Sequence, residues 1–550
     1  LTQKKGLLEY ELITHVEQLQ VGEIINNPKV GSITATVETK GKGESLSTLD
    51  ASLTSRFDSL SYSGYDFTAL QISGNINNGK GGLDMNYKDD NLNMDLSSDI
   101  ELDSVNTLAK LTLDLKGVDF LALGITNEDV RAQLRLDARF EGNAENFTAG
   151  LALENLTVVK NQDSYTPGQI NLTSCVTPDS TSLQITSDVL RGNLLSNTNP
   201  QGFLQAVNRQ FHEYLNVDPT EESIPLDSNI VVTSNFSIRE SPLISDILLP
   251  QLETYDSITF SIDYHQNQDS LVASFNAPYI KYGNSVIDSL RFELLGAPDN
   301  LQFSGGWASI DADPVLLKSL ELTGRLQNRT LITRLVAPEN KGSLFDIRTE
   351  LKLAGDTLDF YIQPDTFVIN RRTWTVPETN RLLIATEHLD FQDFNMQSKN
   401  QLLSIENFGE HPNQNIQINF DRFRLSNLGS FLNPEDTLAS GLVNGKVSFE
   451  EVFTNNALLA DLDINELMVM GSDWGNLKMN AEKSISNEYE FALSLKQGLA
   501  DIDLTGKYLP DPTVTRLNMD LDLIRLETKL LEGFLEDEIS NTEGYLTGHL

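Results

Sequence analysis

The stretch Asn415-Ile416-Gln417-Ile418-Asn419-Phe420 places an apolar side chain at every second position. That alternation is typical of a strand with one covered face and one face in water. A short run at helical spacing follows at Leu425–Leu432, and the chain then returns to strand-like patterns as far as Tyr508. These further runs are Gly441–Val447, Leu458–Ile464, Trp474–Met479, Phe491–Leu495 and Ile502–Tyr508. The stretch therefore predicts a unit of successive strands interrupted by one helical turn.

The same unit recurs along the chain, with uneven spacing. Downstream, Leu517, Met519, Leu521 and Leu523 restart the alternation and lead to a second helical run, Leu526–Phe534. Upstream copies open with Leu111, Leu113 and Leu115, and looser copies begin near Leu8 and Ile230, the latter with a helical run over Leu243–Leu252. Self-similarity of this kind indicates a diverged array of β-modules.

The predicted organisation follows from these copies. We expect β-modules over 1–105 and 106–199, an amphipathic helix over 200–219, a β-region over 220–410, a module over 411–510 and the start of another over 511–550. The helix is the clearest of the chain, because Gln201–Val217 carries apolar residues at helical spacing. Asn199 is a candidate cap, and Asp218-Pro219 ends the pattern. Such a helix either covers the open side of a curved sheet or braces one sheet face.

Composition narrows the class of protein. The 550 residues are 39% hydrophobic, enough for a core, and carry a net charge of −39 from 79 acidic and 40 basic residues. This excess repels phosphate backbones and disfavours both nucleic-acid binding and adsorption to an anionic membrane surface. The single cysteine, Cys175, excludes an intramolecular disulfide. With no initiator methionine, signal peptide or long apolar run, and with both ends inside modules, we expect a fragment of a longer protein.

Motifs for catalysis or metal binding are missing from the sequence. The six histidines do not have the spacing of metal ligands. The segment from Gly74 to Lys80 imitates a phosphate loop, but Gly81 follows it where Ser or Thr is required. The pairs Asp461/Asp463 and Asp520/Asp522 have the period-two spacing of the solvated face of a strand. We therefore expect no enzyme, no catalytic residue, no metal site and no cofactor.

The abundant feature is instead the one-sided apolar strand. A long antiparallel sheet must cover its apolar face with another layer of the protein or with a ligand. One solution is a second sheet, as in a sandwich. The other is an open trough that takes up acyl chains, at about 0.8 kcal/mol for each methylene removed from water. Periodicity alone does not distinguish the two.

Three features resemble the translocation-and-assembly TamB family, within the AsmA-like group, in its Bacteroidota form. The first is the repeated module L-x-L-x-L…L-x-x-L…G-x-L-x-G at Ile416–Lys446 and Leu517–Leu550. The second is Leu183–Asp188 followed by Gly192, and the third is FVINRRTWTVPETN at Phe367–Asn380. The resemblance covers nearly the whole chain through short, degenerate motifs.

The resemblance implies a fold and a function. Members of that family have an inner-membrane anchor, a long periplasmic β-trough (a "β-taco") with an apolar lumen, and a terminal domain that meets an Omp85-type outer-membrane protein. Neither the anchor nor the terminal domain is recognisable here, so both partner and anchor would involve regions outside this chain. The implied role is transport of phospholipid, whose acyl chains would be the partner of the trough, together with support for outer-membrane biogenesis. The family has no catalytic residues to carry over.

Candidate groove residues come from the alternation alone. They are Leu111, Leu113, Leu115, Ile416, Ile418, Phe420, Leu517, Met519, Leu521 and Leu523. For each of them an ordinary core position is the alternative. Two other functions stay open, a periplasmic scaffold or chaperone that offers strand edges to an assembling outer-membrane protein, and a surface β-repeat adhesin. The expected fold is mainly β, an elongated curled antiparallel sheet built from diverged repeats with short interspersed helices.

Overall fold

The structure is a computed structural model of the chain. It describes residues 2–4, 7–27, 29–43, 48–103, 106–215, 229–435, 438–453, 457–483, 488–509, 516–532 and 542–550. The fold is nearly all antiparallel β in long sheets, with 69% strand and 8% helix. The sequence prediction of a mainly β, antiparallel protein is confirmed.

The first nineteen strands occupy the chain as far as Tyr282. They are β1 Thr2–Lys4, β2 Leu7–Gln20, β3 Val30–Gly43, β4 Asp50–Tyr62, β5 Tyr65–Phe67, β6 Leu70–Asn77, β7 Lys80–Lys88, β8 Leu92–Glu101, β9 Thr107–Asp119, β10 Val130–Gly142, β11 Phe147–Lys160, β12 Asp163–Tyr165, β13 Ile170–Thr177, β14 Ser180–Thr186, β15 Leu190–Ser196, β16 Val231–Ile238, β17 Leu252–Tyr255, β18 Ile258–His265 and β19 Ser270–Tyr282.

The remaining strands follow in the same manner. They are β20 Ser285–Ala297, β21 Asn300–Trp307, β22 Ser309–Ala312, β23 Val315–Leu317, β24 Leu320–Gln327, β25 Thr330–Glu339, β26 Gly342–Ala354, β27 Thr357–Ile369, β28 Arg372–Thr373, β29 Arg381–Ala385, β30 His388–Gln392, β31 Phe394–Ser398, β32 Gln401–Asn407, β33 Ile416–Arg424, β34 Ala439–Glu450, β35 Ala457–Val469, β36 Ser472–Lys483, β37 Tyr489–Lys496, β38 Ala500–Leu509, β39 Arg516–Glu527 and β40 Tyr545–His549.

In the described part of the chain, four α-helices interrupt the strands: α1 Val21–Ile25, α2 Pro200–Leu215, α3 Ser426–Leu432 and α4 Lys529–Glu532. Helix α2 is the one predicted over Gln201–Val217, whose last two residues lie outside the described part of the chain. Its predicted cap is confirmed, because Asn199 Oδ1 accepts a hydrogen bond of 2.7 Å from the N–H of Gly202. Helix α3 matches the predicted run Leu425–Leu432 to within one residue.

Two predicted helical runs are shorter than expected. The run Leu243–Leu252 forms a π-helix only over Leu243–Leu248, and Leu252 already belongs to β17. Leu249 has φ −135° because it precedes Pro250, and the proline ring disfavours helical backbone at the residue before it. In the run Leu526–Phe534, β39 continues through Glu527 before α4 begins, and Phe534 lies outside the described residues.

The chain divides into two compact units. Unit 1 comprises Leu1–Arg209 with Glu221–Pro278, and unit 2 comprises Gln210–Thr220 with Tyr279–Leu550. This division is coarser than the predicted series of modules, which stays a prediction. The glycine segment that imitates a phosphate loop is a hairpin turn, because Asn78 and Gly79 have φ +48° and +72° between β6 and β7.

Within unit 1 the longer strands pair in chain order, with the short strands β5, β12 and β17 between some of them. The order is β2-β3-β4-β6-β7-β8-β9-β10-β11-β13-β14-β15-β16-β18, and every ladder in it is antiparallel. Unit 2 contains the run β20-β21-β24-β25-β26-β27-β29-β30 and a ten-stranded sheet, β31 to β40, in sequential order.

One type of β-bulge recurs in three ladders. In β33, Asp421 and Arg422 lie opposite the single residue Asn444, and Arg422 has φ +47°. The Arg422 N–H donates to Asn444 Oδ1 at 2.8 Å. Glu466 of β35 repeats this arrangement with Asn476, at φ +54° and 2.9 Å. Bulges bend a strand and increase its local twist, so each of these strands is bent at its bulge.

The third example is in β2, where the Gln18 N–H donates to Thr34 Oγ1 at 3.1 Å. All three have a signal in the sequence that the analysis of alternation missed. At each bulge the apolar series advances by three residues instead of two, from Phe420 to Phe423, from Ile464 to Leu467 and from Val16 to Leu19. The extra residue returns the apolar side chains to the same face.

Candidate functional site

The candidates Leu111, Leu113 and Leu115 share one face of β9 in unit 1. Leu113 lies opposite Leu96 of β8 and Leu136 of β10, and these pairs extend into a cross-strand row of apolar side chains. This Leu113 row consists of Ile72, Met85, Leu96, Leu113, Leu136, Leu153 and Ile170. Directly opposed residues of antiparallel strands lie on the same face of a sheet, so the row is a continuous apolar band seven strands wide.

A second band runs beside the first. It passes through Leu111 and continues to the last strands of unit 1. This Leu111 row consists of Leu53, Gly74, Leu83, Ser98, Leu111, Ala138, Leu151, Leu172, Ile185, Gly192, Phe236, Phe260 and Phe275. Alternation within β9 predicts one member of each row. The other members follow only from the register of the strands, because alternation within one strand does not say which residue of the next strand lies opposite.

Burial in unit 1 is greater along one rim of the apolar face than in its middle. All members of the Leu113 row are half-buried, and the Leu111 row is half-buried apart from Phe260, which is 39% exposed. By contrast, Tyr87, Val118 and Val158, where the strands end, are 2%, 6% and 5% exposed. This distribution is the reverse of what a packed sandwich gives, since there the central side chains are the most deeply covered.

Non-strand segments cover the rim at which Val118 lies. Leu123, in the connection between β9 and β10, is 4% exposed and belongs to the same apolar cluster as Tyr87, Leu92 and Val130. Leu243 and Ile247 of the π-helix pack against this cluster. At the other rim, the part of helix α2 that belongs to unit 1 contacts one of its last strands, because the ring of Phe203 meets the ring of Tyr264 edge-on with centroids 5.9 Å apart.

The unit 2 candidates also fall into shared rows. Ile418 and Met519 are members of one row, and Phe420 and Leu521 are members of the next. Leu523 lies opposite Ile502 in the row of Phe423. Ile416 lies opposite Phe449, and Leu517 lies opposite Tyr508. The structure therefore brings the candidates of β33 and β39 onto one face of the ten-stranded sheet.

Burial across this ten-stranded face is graded from one rim to the other. At the helical rim, Phe423 is 3% and Leu495 is 4% exposed, and Leu530 of α4 is fully buried among their neighbours. Ile416, Ile418, Phe420, Leu521 and Leu523 are half-buried. Towards the other rim of β39, Met519 is 49% and Leu517 is 55% exposed. One side of the face is thus filled by a short helix, whereas Leu517 and Met519 of β39 on the opposite side are exposed.

The reverse face of both sheets is polar and carries the charges. In unit 1, Thr112 and Asp114 alternate with the candidate leucines, and Asp137 Oδ1 accepts a hydrogen bond of 2.7 Å from Thr112 Oγ1. In unit 2, Lys496 contacts Asp501 and Asp503, the latter at 2.7 Å. Hydrogen bonds to these two carboxylates raise the pKa of Lys496. Asp461 and Asp463 are exposed on this face, as predicted.

The segment Phe367–Asn380 contributes several side chains to a buried core of unit 2. Trp374 is 1% and Phe367 is 3% exposed, within a cluster that also contains Phe394 and Phe423. Asn380, also 1% exposed, accepts from the N–H of Ile362 and donates to its carbonyl, both at 2.9 Å. Its amide thereby satisfies the backbone of β27 just beyond Phe360 and Leu382, the last pair in the ladder between β27 and β29. Sequence reasoning singled out this segment only through resemblance and assigned no role to either residue.

A polar cluster fixes the turn after β7 at the buried rim of unit 1. Asp89 Oδ2 accepts hydrogen bonds from the hydroxyls of Tyr65 and Tyr87, the second at 2.7 Å, and Oδ1 accepts from the N–H groups of Asn91 and Leu92. Burial acts to raise the pKa of Asp89, but these four donors outweigh it and lower the pKa below its usual range. The cluster therefore depends on an ionised carboxylate.

No group of three or more potential metal ligands occurs among the described residues. Cys175, on β13, is free and half-buried. No helix in the described part of the chain combines the length and the apolar character needed to cross a membrane. A comparison with models of known protein families finds no match to this chain, and a comparison with curated proteins finds none either.

Proposed function

We propose that this chain is the periplasmic part of a TamB-like or AsmA-like protein that carries phospholipid between the inner and outer membranes. In this proposal the sheets curl into a trough built from diverged repeats, and acyl chains move along the rows of Leu113 and Ile418. Headgroups stay in water at the open side. An anchor in the inner membrane and contact with an Omp85-type protein would come from regions outside this chain, and the role served would be outer-membrane biogenesis.

The observation that carries the proposal is the burial profile of unit 1. The middle rows of the apolar face, where a sandwich core would be tightest, are only half-buried, whereas the rim that carries Tyr87, Val118 and Val158 is packed. A partly exposed aliphatic side chain in each of seven adjacent strands adds up to a large apolar surface for a protein to leave in water. Each methylene of an acyl chain placed there would leave water with a gain of about 0.8 kcal/mol.

The curvature and the charge distribution support the same function. The recurring bulges at Gln18, Arg422 and Glu466 bend their strands, as a trough requires. The reverse face carries residues such as Asp114, Lys496 and Asp503 in water. With a net charge of −39, that exterior keeps a long sheet soluble and discourages edge-to-edge association.

The test is photocrosslinking to labelled phospholipid in cells that make the protein. A photoreactive residue is introduced at Leu113, Ile418 or Met519 on the apolar face, and at the matched control positions Asp114, Asn419 and Asp520 on the reverse face. We expect phospholipid adducts only from the first set, because only those side chains face the rows. Adducts from both sets would indicate non-specific adsorption, and protein adducts without lipid would favour the scaffold function instead.

A further inference from the structure

Three glycines in strand interiors lie beneath aromatic rings of the neighbouring strand. A Cβ atom built on Gly192 would lie 2.0 Å from the ring of Phe236, and on Gly324 it would lie 2.2 Å from the ring of Phe303. On Gly41 it would lie 2.5 Å from the ring of Tyr10. At all three positions the three nearest atoms belong to that one side chain. Each ring therefore lies across the neighbouring strand and occupies the space of the missing side chain.

The backbone does not require glycine at these positions. None of the three has the positive φ that favours glycine. Glycine in a strand interior weakens the strand and commonly marks a close approach. Here the group that approaches the glycine is the aromatic ring alone. Glycine is therefore present because it leaves room for that ring.

The pairs lie on the apolar face. Gly192 and Phe236 are directly opposed members of the Leu111 row. Gly41 lies opposite Tyr10 and Ala51, and Ala51 lies opposite Ile76 on the face that carries Leu70 and Ile72. In unit 2, Gly324 lies opposite Phe303, and Leu322 and Leu326 lie two residues to either side on its face.

We propose that Gly41, Gly192 and Gly324 keep the space above the apolar face free for acyl chains, because each lets an aromatic ring lie flat on the sheet. This inference rests on the proposed function and names residues that determine what that surface admits. Any larger residue at the glycine lifts the ring into the space above the leucine rows. The flat rings also offer their faces to a chain lying along the sheet.

A structural role alone makes a different prediction. An aromatic ring over a glycine stabilises the sheet and fixes the register of its strands. If that were the only role, alanine at Gly192 would lower thermal stability without changing lipid binding in the folded protein. Lipid retention and melting are therefore measured on the same variants.

The experiment uses the whole chain and phosphatidylcholine vesicles that contain a phospholipid with a pyrene-labelled acyl chain. Probe retained by the protein is measured after the vesicles are removed by flotation. We expect Gly192→Ala to reduce retention, by about fourfold for each methylene that the lifted ring displaces. Adding Phe236→Leu to Gly192→Ala should restore retention, since the smaller side chain no longer blocks the row.

Gly150→Ala is the matched control. Gly150 also lies within a strand, but it is on the reverse face opposite Arg139 and Thr173, and the nearest atom to an added Cβ is 3.9 Å away. It should retain as much probe as the unmodified protein. If Gly192→Ala does not fold, Gly324→Ala and Gly41→Ala are measured in the same way.

The outcomes separate this inference from the function on which it rests. Reduced retention in the glycine variants, restored by Phe236→Leu, supports both. Normal retention in folded Gly192→Ala, with or without a lower melting temperature, overturns the inference and leaves the proposed function standing. An unmodified protein that retains no probe overturns the proposed function, and this inference with it.

Discussion

The Leu113 row of unit 1 and the Trp374 cluster of unit 2 are both apolar faces of antiparallel strands, yet they differ in burial. Every member of the row is half-buried, whereas Trp374 and Phe367 are 1% and 3% exposed. In the cluster, chain segments cross the face: Thr375 pairs with Gln397, and the amide of Asn380 holds β27. Alternation therefore decides which side chains face the interior, and crossing segments decide whether that interior is closed.

The largest effect expected from this comparison is at the closed face. Trp374→Ala should lower the local free energy of unfolding by about 3–5 kcal/mol, because it removes a fully buried ring. The matched change Leu113→Ala should cost less, about 2 kcal/mol, because that side chain is only half-buried. Hydrogen–deuterium exchange of peptides from β27 and β9 measures both. Equal losses at the two positions would contradict the difference in packing.

A smaller effect is expected from the polar contact that closes the cluster. Asn380→Ala should cost about 1–3 kcal/mol, since it leaves the buried N–H and carbonyl of Ile362 without partners. Faster exchange of the Ile362 amide is the specific sign of this loss. Asn395→Ala, at an exposed position, serves as the control and should change exchange in β27 little. If the two variants behave alike, the Asn380 amide does not stabilise β27.

The smallest effect expected concerns the packed rim of unit 1 and depends on pH. Because the folded-state pKa of Asp89 is lowered, its contribution is present above the unfolded-state pKa of about 3.9 and is lost as pH falls through the folded value. The protection factors of amides in β7 and β8, which are corrected for the slower intrinsic exchange in acid, should therefore fall as the pH is lowered. Asp89→Asn, which does not titrate, should be less stable at neutral pH and should show a weaker acid dependence. An unchanged acid dependence in this variant would exclude Asp89 as its source.

Much of the fold was predictable because its information is local. Period-two alternation predicted the strands at Ile416–Phe420 and Leu111–Leu115, and helical spacing with Asn199 before it predicted α2. The turn at Asn78-Gly79 has the residue types that its positive φ values favour. The bulge at Arg422 was also within reach, since the step of three from Phe420 to Phe423 marks it.

The rest was not predictable because it depends on non-local register. Hairpin lengths and bulges fix which residue of β10 lies opposite Leu113. They thereby determine which side chains form each cross-strand row. The closing role of Asn380 depends on contact with β27, eighteen positions earlier in sequence. The alternation also treats Leu517 and Ile418 alike, although the former is 55% exposed and the latter half-buried. Exposure depends on the helices at the rim, and their contacts are not local.

The most direct test of the account is thiol accessibility on the apolar face of unit 1. In a lipid-free Cys175→Ser background, Leu113→Cys and Val118→Cys place a thiol in the middle row and at the packed rim of the same strand. The account predicts that a small water-soluble maleimide modifies the thiol at position 113 in the native protein and the thiol at position 118 only after unfolding. Equal protection of both thiols would show a closed core and contradict the open apolar face.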